Sequence, residues 1–130
     1  MSQELVLAAR EAAKNAYCKY SNFHVGAAVK TTEGEIILGN NIENASYGLT
    51  ICAERVAIFN AISSGKKIVE IALSCADALD SADDSLKMPC GACRQVMAEF
   101  LPATAKVHVD AVRTFELREL LPHSFVLSDG

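Results

Sequence analysis

Met88-Pro89-Cys90-Gly91-Ala92-Cys93-Arg94-Gln95 runs straight into Val96, Met97, Phe100 and Leu101, an apolar pattern of helical period. Thr50-Ile51-Cys52-Ala53-Glu54-Arg55 does the same, leading into Val56, Ile58, Phe59 and Ile62. Between these two predicted helices, Ile68 to Cys75 is nearly all apolar and reads as a strand covered on both faces. The first helix should run from Cys52 to about Ser64, stopping at Ser63-Ser64-Gly65, and the second from Cys90 to Leu101, with Pro102 just past its end. Upstream, Ser2 to Lys14 reads as a helix with Ser2 as N-cap and a stripe of Leu5, Val6, Ala9, Ala12 and Ala13. Phe23 to Thr31 and Glu35 to Asn41 read as a hairpin turning at Glu33-Gly34. Downstream, Lys106 to Asp110 is a strand, Thr114 to Leu120 a short helix capped by Thr114, and Phe125 and Val126 lie in a final extended stretch. After the first helix the order β-β-α-β-α-β points to helices on both faces of one mixed sheet.

All three motif cysteines therefore sit at helix starts, where free N–H groups and the helix dipole favour a thiolate. Cys90 and Cys93, three apart, share one face of the first turn, and Cys52 must come from the other helix. Thiolates are zinc ligands, and three of them leave a tetrahedral zinc ion one position short, the mark of a catalytic site with water in the open place. Glu54 is too close in sequence to Cys52 to chelate comfortably but is well placed to reach that water, which suits proton transfer. Arg55, one turn from Cys52, can hydrogen-bond ligand sulfurs and draw off the negative charge that three thiolates bring.

The 130 residues suit one domain spanning 1–130, with 51% hydrophobic and 22% charged residues, as in soluble globular proteins. Lys and Arg are scattered and the net charge is −4, which argues against a nucleic-acid polymer as partner. No signal peptide and no membrane-spanning run is expected, and the odd count of five cysteines fits a metal site in the reducing cytoplasm better than a disulfide framework. Cys18 and Cys75 read as small buried hydrophobes. Ala76 to Lys87, with four Asp and no apolar period, reads as a solvent-exposed loop. His24, His108 and His123 have no partner at metal-binding spacing.

Cys-Ala-Glu at Cys52 followed by Pro-Cys-Gly-Ala-Cys at Pro89 resembles the zinc nucleoside and nucleobase deaminases. The likeness to the small cytidine deaminases is closer, extending over Ser21-Asn22-Phe23-His24-Val25-Gly26-Ala27-Ala28, Gly39 to Tyr47, and the tail Glu119 to Phe125. That resemblance implies an α/β fold, a three-layer α/β/α sandwich with a mixed five-stranded sheet. It implies a small-molecule nucleoside substrate, zinc held by Cys52, Cys90 and Cys93, and Glu54 as acid and base. It further implies Phe23 against the pyrimidine, Asn41 and Glu43 gripping the ribose 3′-hydroxyl, and the Ala53 N–H on the 2-oxo group. Tyr47 and Phe125 resemble residues that family members place in a neighbouring subunit's site, within a homotetramer. Without the resemblance, Phe23 would read as core and Asn41 and Glu43 as turn residues, with Asn40 a rival amide.

The expected activity is zinc-dependent deamination of cytidine and 2′-deoxycytidine in pyrimidine salvage. One rival within the class is a deaminase of blasticidin S or an N4-substituted cytidine. From another class, the rival is a zinc-stabilised binding module without catalysis.

Overall fold

The computed structural model describes residues 2–127. Its sheet has five strands in the order β2-β1-β3-β4-β5: β1 (Val25–Thr31), β2 (Ile36–Asn40), β3 (Ile68–Cys75), β4 (Lys106–Val109) and β5 (Arg113–Glu116). β1 pairs antiparallel with both β2 and β3, β3 parallel with β4, and β4 antiparallel with β5, so the sheet is mixed as expected. The hairpin from β1 to β2 is closed by Thr31, whose buried Oγ1 accepts from Glu33 N and Glu35 N, and by Gly34 at φ 85.

Helices cover the two faces. α1 (Gln3–Ala13), capped by Ser2 on Leu5 N, buries Leu5, Val6 and Ala9 against Ala28 and Ala72. On the other face, α2 (Ala53–Ser63) and α3 (Gly91–Phe100) bury Ala57, Ile58 and Met97 with Ala27, Val29, Ile71, Leu73, Val107 and Val109. Alternation along β1 and β3 thus feeds two cores, as a period of two requires. The layers approach very closely. A Cβ on Gly26 would stand 1.9 Å from Ala9 O, and one on Gly39 would stand 2.3 Å from Ala57 N and 2.7 Å from Ala53 O. Gly39 therefore seats the first turn of α2 directly on β2. No described helix is long and apolar enough to cross a membrane.

The chain end departs from the expectation. Thr114 does not cap a helix; it lies inside β5, and Glu116 is the N-cap of α4 (Leu117–Leu120) through a reciprocal capping box with Glu119. The fifth strand is this edge, paired to β4, because Arg113-Thr114-Phe115-Glu116 alternates for one short run before Leu117 and Leu120 turn into the core. Phe125 and Val126 are exposed and belong to no strand. The acidic stretch 76–87 contains two single 3-10 turns, Ala76–Ala78 and Asp84–Lys87. It is not wholly solvent-exposed, since Ala78 and Lys87 are buried.

Candidate active site

Cys52 is the N-cap of α2 and Cys90 the N-cap of α3, yet neither side chain bonds the helix it caps. Their sulfurs turn towards each other instead. Cys52 and Cys90 Sγ are 3.8 Å apart, Cys90 and Cys93 Sγ 3.5 Å, and all three lie within 4.8 Å of one another. A tetrahedral zinc ion with bonds of about 2.3 Å sets its sulfurs about 3.8 Å apart, so the cluster fits zinc and leaves one corner to something other than these sulfurs. Arg55 Nη2 donates to Cys52 Sγ at 3.4 Å, while its buried Nε has no hydrogen-bond partner. A guanidinium so short of acceptors is complemented when the sulfurs beside it are anionic, as zinc ligation makes them. The Cys52 thiol is drawn down to about 5, foremost by the hydrogen bond from Cys93 and also by Arg55, against the opposing effect of burial. Cys93, donor of that bond and buried in the core, is pushed up.

The sulfurs open onto a cavity of about 390 Å³, a size suited to a small molecule. Ala53 and Glu54, the first two residues of α2, line it beside Cys52 and Cys90. Ala53 N–H is one of the donors a helix start leaves unpaired. Glu54 is 3% exposed, and burial foremost, with the charge of Cys52, pushes its carboxyl up to about 7.

Polar side chains of the segment 41–43 also line the cavity. Ile42 bridges to both Tyr17 and Ile51, which stitches the segment 41–43 in beside Cys52. Asn41 Oδ1 accepts from Val25 N at 2.9 Å and its Nδ2 donates to Phe23 O at 2.8 Å, which fixes the amide and leaves one N–H over. Glu43 accepts from Tyr20 N and Ser21 N, both at 3.0 Å, and closely from Ser21 Oγ. These bonds, that from the Ser21 hydroxyl foremost, hold its carboxyl below the usual range, and Oε2 retains one lone pair. Asn40 points elsewhere, donating to Ala12 O at 3.1 Å.

Phe23 lines the same cavity, and Tyr47 stands at its rim, 70% exposed. Phe125 is not brought to it: Gln95 Nε2 holds the Phe125 carbonyl at 3.0 Å and its ring lies 69% exposed. His24 bonds Asp77, and His108 lies between Glu70 and Thr114, so neither joins the sulfurs. Wall residues with no site role in the sequence reading include Ser21, Val25, Thr50, Leu73, Cys75 and Leu86. Ser21 sits in a quoted motif, two residues before Phe23, and that proximity was the available signal. Cys75 is buried and its thiol is pushed up to about 12, chiefly by burial, which leaves it inert.

The model of the cytidine and deoxycytidylate deaminase zinc-binding region matches residues 1–109. A cytidine deaminase of Halalkalibacterium halodurans is 46% identical, covering 98% of this chain and 96% of that protein. One from Mycobacterium tuberculosis is 42% identical, covering 93% and 86%. The crystal structure of cytidine deaminase from Burkholderia pseudomallei superposes with a TM-score of 0.85 at 39% identity, covering 96% of this chain and 99% of that one. A family match over most of the length, together with the sulfur cluster in its motif, places this chain in the cytidine and deoxycytidylate deaminase family.

Proposed function

We propose that the chain hydrolyses cytidine and 2′-deoxycytidine, consuming one water and releasing uridine or 2′-deoxyuridine and ammonia. One observation carries this reading: a single cavity is lined by two cysteines of the sulfur cluster, a buried carboxyl group, an amide and a second carboxylate. The names of the relatives support the same substrate.

Held by Cys52, Cys90 and Cys93, zinc supplies Lewis-acid chemistry that makes hydroxide available at neutral pH. Glu54 takes a proton from the attacking water and delivers it to ring N3, so that C4 becomes electrophilic. A C4–O bond forms, Glu54 carries the second proton to the amine, and the C4–N bond breaks to release ammonia. Ala53 offers its N–H to the 2-oxo group, the Met88 carbonyl accepts from the amine, and Phe23 packs on the pyrimidine. The free N–H of Asn41 and the spare lone pair on Glu43 Oε2 suit a ribose hydroxyl, which accepts from one and donates to the other. Arg55 tempers the charge of the sulfurs.

The reading takes residues 1–130 as a single deaminase-like domain, supported by one continuous sheet. It assigns the protein to the cytoplasm and to pyrimidine salvage, supported by five cysteines that form no disulfide with one another. It also makes the protein a homotetramer whose sites are shared, supported by the exposed rings of Tyr47 and Phe125. The test is an ultraviolet assay of cytidine with and without a zinc chelator, with ammonia measured alongside. Turnover abolished by the chelator and restored by zinc is expected; no turnover by zinc-loaded protein refutes the function. Light scattering that finds single chains refutes the tetramer.

A further inference from the structure

Lys87 closes the acidic stretch of Asp77, Asp80, Asp83 and Asp84, yet its side chain is only 3% exposed. Lysines are seldom buried without a partner. Its Nζ donates to Ser81 O at 2.7 Å and lies 3.4 Å from Asp84 Oδ1, a carboxylate that is itself 61% exposed. The ammonium is thus folded inward under its own loop. The other bonds of residues 81–87 are local too, Asp83 Oδ1 capping Ser85 N at 3.0 Å and Leu86 N donating to Asp83 O at 3.2 Å, while Asp77 at the start of the stretch accepts from His24 N. The Lys87 ammonium ties residues 81–87 to one another, and the Lys87 carbonyl joins them to the end of β3, accepting from Cys75 Sγ at 3.7 Å. Leu86 and Met88, its two chain neighbours, both line the cavity along with Cys75 and Cys90.

We propose that Lys87 is a positioning residue that sets specificity: by cross-linking residues 81–87 at its buried ammonium it holds Leu86 and Met88 as a wall of the cavity that Cys90 also lines. That wall limits substituents on the exocyclic amine of a cytosine nucleoside. The inference rests on the deaminase reading, which puts the amine-bearing carbon beside the sulfurs. An N-alkyl group needs room at that wall. A segment riveted by a buried ammonium does not yield, and one released from it does.

Lys87→Met keeps the stem and removes the ammonium, and Leu86→Ala removes the wall side chain while leaving the anchor. For both zinc-loaded variants and the parent, kcat and KM are measured on cytidine and on N4-methylcytidine. Amide hydrogen exchange is followed across residues 79–88. The ratio of kcat/KM for N4-methylcytidine to that for cytidine should rise about tenfold in both variants, the scale on which one methylene is discriminated. In Lys87→Met the KM for cytidine should rise more than kcat falls. Exchange at residues 81–86 should quicken about tenfold while α2 and α3 are unchanged. An unchanged ratio overturns the specificity role, and unchanged exchange overturns the anchor. Should Lys87→Met fail to fold, an unchanged ratio in Leu86→Ala overturns the proposal by itself. A parent protein that turns over neither compound refutes the deaminase reading instead, and the exchange result still decides whether Lys87 anchors the segment.

Discussion

Glu54 and Asp110 are carboxyl groups on opposite faces of one sheet, 3% and 2% exposed, and their surroundings treat them oppositely. Asp110, just past β4, receives Arg10 Nε at 2.7 Å, Arg10 Nη2 at 2.8 Å and Ser74 Oγ at 2.7 Å. Burial pushes its carboxyl up, but these bonds outweigh that and hold it below the usual range. Glu54 has no such cation clamped to it, and burial pushes it up to about 7. Equal surface exposure therefore says little about charge; depth in the protein and the partner together decide. The carboxyl with a cation clamped to it is committed to holding α1 on the sheet, and the one without remains able to exchange protons.

The largest expected effect breaks the comparison on the cavity side. Glu54→Gln should lower kcat for cytidine by about a thousandfold, within the usual range for a lost acid and base, while zinc content and the thermal midpoint stay near those of the parent. Retention of even a tenth of the turnover would remove Glu54 from its proposed role. The next tests the other face. Arg10→Met leaves the Asp110 carboxyl with Ser74 and the Ala111 N–H but no cation, and should cost about 2 kcal/mol in urea unfolding, with kcat unchanged. That is less than the ~3–5 kcal/mol of a fully buried pair, because Arg10 is 49% exposed and the Ser74 bond survives. A fall in kcat matching the fall in stability would erase the distinction between the two faces.

Much of this arrangement is legible in the sequence, for reasons particular residues make plain. Cys52, Cys90 and Cys93 can be read because each begins an apolar run of helical period, and the structure brings their sulfurs together. β3 was bounded correctly at Ile68 and Cys75 because a strand covered on both faces is apolar at nearly every position. β5 is not legible because four residues are too few to establish alternation, and the true helical pair Leu117 and Leu120 of α4 draws the apparent helix back over them. Asn40 and Asn41 could not be separated by composition. The choice is made by which face of the strand end meets Ala12 and which meets Phe23. Arg10 and Asp110, a hundred residues apart, carry no shared local signal, and Lys87 among aspartates looks like a solvated charge until the fold puts it inside.

The smallest expected effect concerns pH and sharpens the account of Asp110. Its folded carboxyl titrates below its ordinary value of 3.8, so its contribution to stability is fully in place above that value. The contribution is lost as pH falls through the lower, folded value. Replacing Asp110 by Asn removes the titration, keeps a hydrogen-bonding side chain of the same shape, and loses the charge facing Arg10. At neutral pH the variant should therefore be the less stable of the two. Below about pH 4 the parent's thermal midpoint should fall more steeply, so that the two curves converge towards pH 3. Glu43, Asp77, Asp83 and Glu116 are also held below their ordinary values and steepen both curves alike, which is why the difference between the curves isolates Asp110. Curves that stay parallel to pH 3 would mean that the Arg10 clamp does not bias the charge of Asp110, and the contrast with Glu54 would then have to rest on position alone.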